Sequence, residues 1–82
     1  KIQILQLLKT ELQLRGFAQN TQRNYLAINS DFLTHTNKSP ELLETTDVKL
    51  YLSHLIATKQ ASPSTVALAR SAILFLIKVL II

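Results

Sequence analysis

Two short polar segments hold the residue types best suited to binding an anionic partner. Residues 19–24 contain amides, a hydroxyl and the guanidinium of Arg23, and residues 60–65 contain two serines and a threonine around Pro63. Backbone N–H groups at the start of a helix attract phosphates, and amide, hydroxyl and guanidinium side chains can also contact base edges in a major groove. The same side chains can instead do no more than cap their helices. From the residues alone, both interpretations stay open.

The rest of the sequence contains no catalytic or metal-binding pattern. His35 and His54 are isolated from each other along the chain, and we expect them at the surface or at a helix end. The five acidic residues are scattered, cysteine is absent, and the single glycine cannot build a glycine-rich phosphate loop. We therefore expect no metal, no cofactor and no enzymatic activity from this chain by itself.

Composition narrows the class of protein further. Eighty-two residues, of which 48% are hydrophobic, suffice for one domain with a modest core. A formal net charge of +4 favours an anionic partner, although it also suits ordinary solubility. The absence of cysteine fits a reducing, cytoplasmic compartment. The apolar segment at residues 72–82 is interrupted by Lys78 and is shorter than the ~20 residues of a spanning helix, so we expect no membrane insertion.

Four predicted helices position the polar segments. The first is expected from Ile2 to Arg15, and Gly16 ends it because glycine adopts the left-handed conformation without steric cost. The second is expected to begin at Asn20 or Thr21 and to end at His35. Its start should be capped by Gln19, Asn20 and Thr21.

The second pair of predicted helices follows a polar connection over residues 36–44. The third helix should begin near Thr45 or Thr46, with Asp47 placed favourably for the helix dipole, and should fade at Lys59. Ser62 should be the N-cap of the fourth helix, with Pro63 at its first position.

Helical spacing of apolar residues predicts an all-α fold, a compact four-helix bundle. Asn29 lies in the middle of the inner face of the second helix. It is either a core amide with hydrogen-bond partners or the sign of a rotated helix that points Ile28 inward. The predicted core consists of Leu8, Leu12, Tyr25, Phe32, Tyr51, Leu52, Leu55, Leu68, Ile73 and Leu76, and Leu80 is also predicted on the inner face of the fourth helix.

Some leucines do not fit a single inner face. Leu7 and Leu14 lie on a different face of the first helix from the predicted core, and Leu74 lies on the outer side of the fourth. This pattern supports an alternative function, a helical protein–protein interaction module.

The order and spacing of several motifs resemble the N-terminal core-binding (SAM-like) domain of tyrosine recombinases, the group that includes phage integrases and Xer-type enzymes. The resemblance covers nearly the whole chain. The matching motifs are Arg15-Gly16-Phe17, Thr21, Tyr25, Phe32-Leu33, Asp47-Val48, Tyr51-Leu52, Leu55, Ser62-Pro63-Ser64-Thr65 and Ser71-Ala72.

The sequence departs from the family pattern at four positions. Ala18 stands where the family usually has a serine cap, and Gln60 stands where a second glycine is common. Asn29 occupies a normally apolar position. Leu74 replaces a frequent arginine of the fourth helix, one turn after Arg70.

The resemblance implies that residues 1–82 form a single N-terminal, DNA-binding domain, and that the catalytic domain is absent from this chain. Such a domain forms half of a C-shaped clamp around a recombination half-site, with its second and fourth helices at the major groove. The implied partners are double-stranded DNA, the missing catalytic domain and other recombinase protomers. The residues implied to contact DNA are Thr21, Arg23, Asn24, Ser64 and Thr65, to which position in the sequence adds Asn20, Ser62 and Arg70.

Overall fold

Four α-helices make up most of the chain in a computed structural model, which describes the backbone of residues 2–81 and the side chains of residues 3–79. No strand occurs within that range, so the all-α prediction is confirmed. A 3-10 turn, Pro40–Leu42, lies between the second and third helices, and a π-helical turn, Ile77–Ile81, continues the fourth. The helices are α1 (Ile2–Leu14), α2 (Gln19–Thr36), α3 (Thr45–Lys59) and α4 (Pro63–Leu76).

Each helix contributes its apolar face to one central core. Most of the predicted core residues are buried, and Tyr25 and Leu52 are half-buried against them. Deleting a buried leucine from such a core costs about 2–5 kcal/mol, so this cluster supplies much of the stability. The side chain of Leu80 lies outside the described residues. The buried apolar residues are Leu8, Leu12, Phe32, Leu33, Val48, Tyr51, Leu55, Ala69, Ala72, Ile73 and Leu76.

The prediction that Leu68 belongs to the core is wrong. Its side chain is 37% exposed, whereas its neighbour Ala69 is 2% exposed. The buried positions of α4 are Ala69, Ala72, Ile73 and Leu76, and successive helical residues differ in direction by about 100°. Leu68 therefore lies to one side of the face that α4 buries.

Asn29 is a core amide, and Ile28 does not take its place. Asn29 is fully buried, and its Nδ2 donates hydrogen bonds to the carbonyl of Tyr25 (2.9 Å) and to that of Ala72 (3.1 Å). The second bond links α2 to α4 through the middle of the core. The amide oxygen accepts no hydrogen bond from the described residues, so only the donor half of this side chain is satisfied.

Left-handed residues follow three of the helices. Gly16 follows α1 with φ +73°, and the N–H of Phe17 bonds the carbonyl of Leu12 at 3.1 Å, which closes the end of that helix as predicted. Asn37 has φ 53° and Gln60 has φ 51° at the ends of α2 and α3. Asparagine tolerates this conformation better than glutamine does, so Gln60 is the least favourable of the three.

The start of α3 agrees with the sequence prediction. Glu44 and Asp47 form a reciprocal capping box, in which the Asp47 carboxylate accepts from the N–H of Glu44 at 2.8 Å. Lys38 also contacts this carboxylate at 3.1 Å. The N–H of Glu44, and then Lys38, hold the pKa of Asp47 below its ordinary value.

None of the helices within residues 2–81 combines the length and apolar character needed to cross a membrane.

Candidate nucleic-acid interface

The start of α2 is open. Its N-cap residue is Ala18, which has no side-chain acceptor, so the predicted capping by Gln19, Asn20 or Thr21 is wrong. The helix begins at Gln19 because the backbone of Ala18 is already extended there (φ −61°, ψ 150°). Within the described part of the chain, no acceptor pairs with the N–H groups of Gln19, Asn20 and Thr21. These unpaired donors, together with the helix dipole, favour an anion at this position.

The side chains at this start point a cation and several amides toward solvent. Arg23 and Asn24 are exposed, and Thr21 is half-buried. A guanidinium nitrogen of Arg23 donates to the Asn20 side-chain oxygen at 3.3 Å, which holds the two groups on one side of the first turn. Arg23 forms no ion pair with any described residue, so its charge is available to a ligand.

An aromatic cluster fixes this start against the end of α4. The ring centroid of Phe75 lies 5.3 Å from that of Phe17 and 5.8 Å from that of Tyr25, and the rings of Phe17 and Tyr25 are 5.7 Å apart. Gln22 donates to the carbonyl of Phe17 at 2.7 Å, which ties the first turn of α2 to the preceding loop. The geometry of the open start is therefore set by packing, as a pre-organised binding site requires.

A second cation near this start was not predicted as a site residue. The guanidinium carbon of Arg15 lies 5.5 Å from the centroid of the Phe75 ring, and Arg15 also pairs with Glu11 at 2.8 Å. The i, i+4 spacing of Glu11 and Arg15 was a signal for the ion pair. The contact with Phe75 depends on how α1 and α4 pack, which the sequence pattern does not reveal.

The start of α4 has a side-chain cap. Ser62 is the N-cap, as predicted, and its hydroxyl accepts from the backbone N–H of Thr65 at 3.3 Å. The hydroxyls of Ser62 and Thr65 also lie 3.1 Å apart, within hydrogen-bonding distance. Ser64 is exposed beside them. The capping role of Ser62 is thus confirmed, and the DNA contacts of all these residues stay predictions.

The two helix starts are not brought together into one site. Phe75 lies beside the start of α2, while Pro63 begins α4 twelve residues earlier. At 1.5 Å per residue, this places the two starts about 18 Å apart along α4. Any common partner must therefore span both positions, as an extended molecule can and a small ligand cannot.

Comparison with known proteins identifies the family of this chain. The family model for the N-terminal SAM-like domain of phage integrases matches residues 4–81. The chain belongs to that family. It is also 34% identical over 74 residues to the protein named "Putative integrase/recombinase y4qK" of Sinorhizobium fredii (strain NBRC 101917 / NGR234), an alignment that covers 90% of this chain and 24% of that protein. The chain thus spans about a quarter of the length of this curated relative. No solved structure matches it significantly.

The family confirms the resemblance to tyrosine recombinases and integrases that the motifs carried.

Within this integrase domain, the remaining candidate, Arg70, lies apart from both helix starts. It lines a groove between α3 and α4 together with Lys49 and Leu74. Its assignment to DNA contact stays a prediction, and its surroundings are considerably more apolar than those of Arg23.

The two histidines of the integrase domain are in contact, contrary to their isolation in the sequence. Their ring centroids are 4.4 Å apart and their planes differ by 27°, because the second half of α2 packs on α3. Rings stacked in this way cannot both direct an in-plane nitrogen at one metal ion. Among the described residues, no group of three or more His, Cys, Asp or Glu side chains could hold a metal.

Tyr51 packs beside this pair and is held by Asp31. Its hydroxyl donates to the Asp31 carboxylate at 2.5 Å, and its ring lies 5.5 Å from that of His35. Burial first, and then the Asp31 carboxylate, raise the pKa of Tyr51 well above its ordinary value. Tyr51 is thus a neutral structural residue at any physiological pH.

Proposed function

We propose that this chain is the DNA-binding module of a site-specific tyrosine recombinase, and that it clamps one side of a recombination half-site. The observation that carries the proposal is the open start of α2, where three unpaired backbone N–H groups stand beside the exposed cation Arg23. Membership of the integrase N-terminal family and the net charge of +4 support it.

The chemistry of this start suits a duplex better than a small anion. A phosphate oxygen accepts from the N–H groups of residues 19–21, and Arg23 contacts a neighbouring phosphate or the acceptor edge of a guanine. Asn24, one position further on, reaches a base edge, while Asn20 orients Arg23 through their hydrogen bond. Phosphate contacts set the position of the protein, and base-edge contacts supply its sequence preference.

The start of α4 contributes a second, weaker contact. Since the hydroxyls of Ser62 and Thr65 already bond within the helix start, Ser64 is the group most available to a phosphate there. Because the two starts lie about 18 Å apart along α4, they contact different phosphates of the duplex.

In this proposal, residues 1–82 bind DNA and do not catalyse recombination. We infer that residues 1–82 form one non-catalytic domain, and that the catalytic domain lies in the remainder of a longer protein. The relative named as an integrase/recombinase is about four times as long as the part that aligns with this chain, which leaves ample room for such a domain. We therefore do not assign the nucleophile to Tyr25, which packs in the aromatic cluster, or to Tyr51, which is bonded to Asp31.

A salt titration tests the proposal. The 82-residue chain is titrated with fluorescent duplex DNA at low and at moderate salt, and anisotropy is measured. We expect weak binding, with a dissociation constant of roughly 10⁻⁴–10⁻⁶ M, that weakens steeply as salt rises because phosphate neutralisation releases counterions. Affinity that is independent of salt, or no binding even at low salt, would count against DNA as the partner.

A helical protein–protein interaction module is the second candidate function. The observation that favours it is the exposure of apolar side chains on two helices, with Leu7 56%, Leu14 77% and Leu74 44% exposed. Both functions are compatible, because one chain can contact DNA through the start of α2 and a protein partner through exposed leucines. Leu7→Ser should leave DNA affinity unchanged if the leucines serve a protein partner.

A further inference from the structure

A groove of about 500 Å³ runs between the first half of α3 and the second half of α4. Its floor and walls are mainly apolar, with Val48 buried at the bottom and Leu74 left 44% exposed at the rim. None of the described helices covers it. The apolar side chains that line it are Leu43, Val48, Leu52, Leu74 and Ile77.

Two cations flank this apolar floor from opposite walls. Lys49 projects from α3 and Arg70 from α4, and neither forms an ion pair or a side-chain hydrogen bond with any described residue. Glu44 also lines the groove, but its carboxylate already accepts from the backbone N–H at position 47 in the capping box. That hydrogen bond does not neutralise the carboxylate, so the groove lining carries two cations without an ion pair and one carboxylate, a net charge of +1, beside apolar surface.

Apolar walls flanked by cations indicate which kind of ligand fits the groove. Duplex DNA would satisfy the two cations but would leave the apolar walls without a complementary surface. An amphipathic helix satisfies both requirements, because it carries apolar side chains on one face and can place carboxylates along the edges of that face. From Arg70 to Ile77 the groove measures about 10 Å along α4, which matches roughly two turns of such a helix.

We propose that the α3–α4 groove docks an acidic amphipathic helix of a partner protein, with apolar side chains at i, i+3 or i+4, and i+7, and with carboxylates that pair with Lys49 and Arg70. The proposal does not depend on DNA binding by α2. It assigns Arg70 to a protein partner, whereas the sequence prediction assigned this residue to DNA, and the titrations below decide between the two.

The test uses a designed peptide of about 14 residues as the probe, roughly 21 Å long as a helix. Its apolar face carries leucines at the spacing above, and two glutamates flank that face. A control peptide has lysine in place of both glutamates. The ¹⁵N-labelled 82-residue chain is titrated with each peptide, and backbone amide resonances are followed. The acidic peptide should shift the resonances of Val48, Leu52 and Leu74, and the lysine peptide should not.

Variants locate the contacts. Lys49→Ala and Arg70→Ala should each weaken binding of the acidic peptide about twofold to fivefold, the range of a partly exposed ion pair. Leu74→Glu should abolish binding by placing a like charge on the apolar wall. Leu74→Ser, a milder change at the same exposed position, should weaken it as well. Arg23→Ala removes the same charge from α2 and should leave peptide affinity unchanged.

Other outcomes would overturn the proposal. Equal binding of both peptides, or no shift at the groove with either, would remove its basis. If duplex DNA shifts the groove resonances and Arg70→Ala weakens DNA binding, the groove belongs to the nucleic-acid interface. If the chain self-associates without peptide and Leu74→Glu abolishes that association, the occupant is a second copy.

Discussion

The starts of α2 and α4 differ in what their first backbone N–H groups do. At α4, the Ser62 hydroxyl accepts from the N–H of Thr65 and Pro63 has no N–H, so among the first three positions only the N–H of Ser64 has no acceptor among the described residues. At α2, Ala18 offers no acceptor, and the corresponding N–H groups stay free for a ligand. A capped start contributes stability, whereas an uncapped and exposed start keeps the positive end of a helix dipole available. One domain thus contains a capped helix start and an uncapped one, about 18 Å apart along α4.

The largest difference between the two starts should come from the packing beneath them. Phe75 contacts Phe17 and Tyr25 below the start of α2, whereas Leu68 in the first half of α4 is 37% exposed. Phe75→Ala should lower the free energy of unfolding by about 2–3 kcal/mol, somewhat less than the loss of a fully buried phenylalanine. Leu68→Ala should cost only about 0.5 kcal/mol. Urea denaturation measures both, and equal losses would contradict the assignment of Leu68 to the surface.

The turns that precede the two starts should respond in opposite directions. Gly16 is left-handed with φ +73°, and a Cβ added there would meet no atom within 4 Å. Gly16→Ala should therefore cost about 1–2 kcal/mol through backbone conformation alone. Gln60 already bears that strain at φ 51°, so Gln60→Gly should stabilise the chain by up to about 1 kcal/mol, reduced by the entropy of glycine in the unfolded state. A destabilised Gln60→Gly variant would mean that other contacts decide this turn.

Substitutions at the two N-cap positions, Ser62 and Ala18, test the difference between the starts of α4 and α2. Ser62→Ala should lower the free energy of unfolding by about 1 kcal/mol, and Ala18→Ser should raise it by about 0.5–1 kcal/mol. Ala18→Ser should also weaken DNA binding, because its hydroxyl occupies an N–H group that we assign to a phosphate. Thermal denaturation and anisotropy titrations on the same samples separate the two effects. Stronger DNA binding by Ala18→Ser would show that the free N–H groups play no part.

Substitution at the start of α3 should change stability least. Of the three helix starts, it is the one whose contribution to stability should depend on acid pH. The pKa of Asp47 is lower in the folded chain, chiefly because of the N–H of Glu44. The folded state then binds the proton more weakly than the unfolded state, so the contribution to stability is present above about pH 4 and is lost as pH falls through the folded pKa. Asp47→Asn should flatten this acid-side loss of stability. Ala18→Ser and Ser62→Ala should keep the pH dependence of the parent chain.

Local chemistry explains what the sequence could and could not predict. Ser62-Pro63 and Glu44 to Asp47 mark helix starts through residues that contact one another within one turn, and both predicted starts agree with the structure to within a residue. The start of α2 carries no such signal, because Ala18 is a poor cap and the polar residues after it looked like better ones. Only the family resemblance identified position 18 as the usual cap.

Packing between helices accounts for the remaining differences. Whether Leu68 points into the core depends on how α4 is rotated about its axis, and a rotation of about one residue decides it. The sequence of α4 is apolar almost throughout, so it does not define this rotation. The contact between His35 and His54, like the separation of the two helix starts, depends on how the helices cross. The individual site residues could be proposed from the sequence, but their arrangement in space could not.

The most direct test of the open start is the salt dependence of DNA binding by Arg23→Ala. The affinities of the parent, of Arg23→Ala and of Lys49→Ala are measured for one duplex across several salt concentrations. Lys49→Ala removes the same charge from the α3–α4 groove and serves as the matched control. If Arg23 contacts a phosphate, its loss should weaken binding to all DNA and reduce the slope of log K against log salt by about one unit, while Lys49→Ala keeps the parent slope. If Arg23→Ala folds normally and binds every duplex as the parent does, the start of α2 is not a DNA contact.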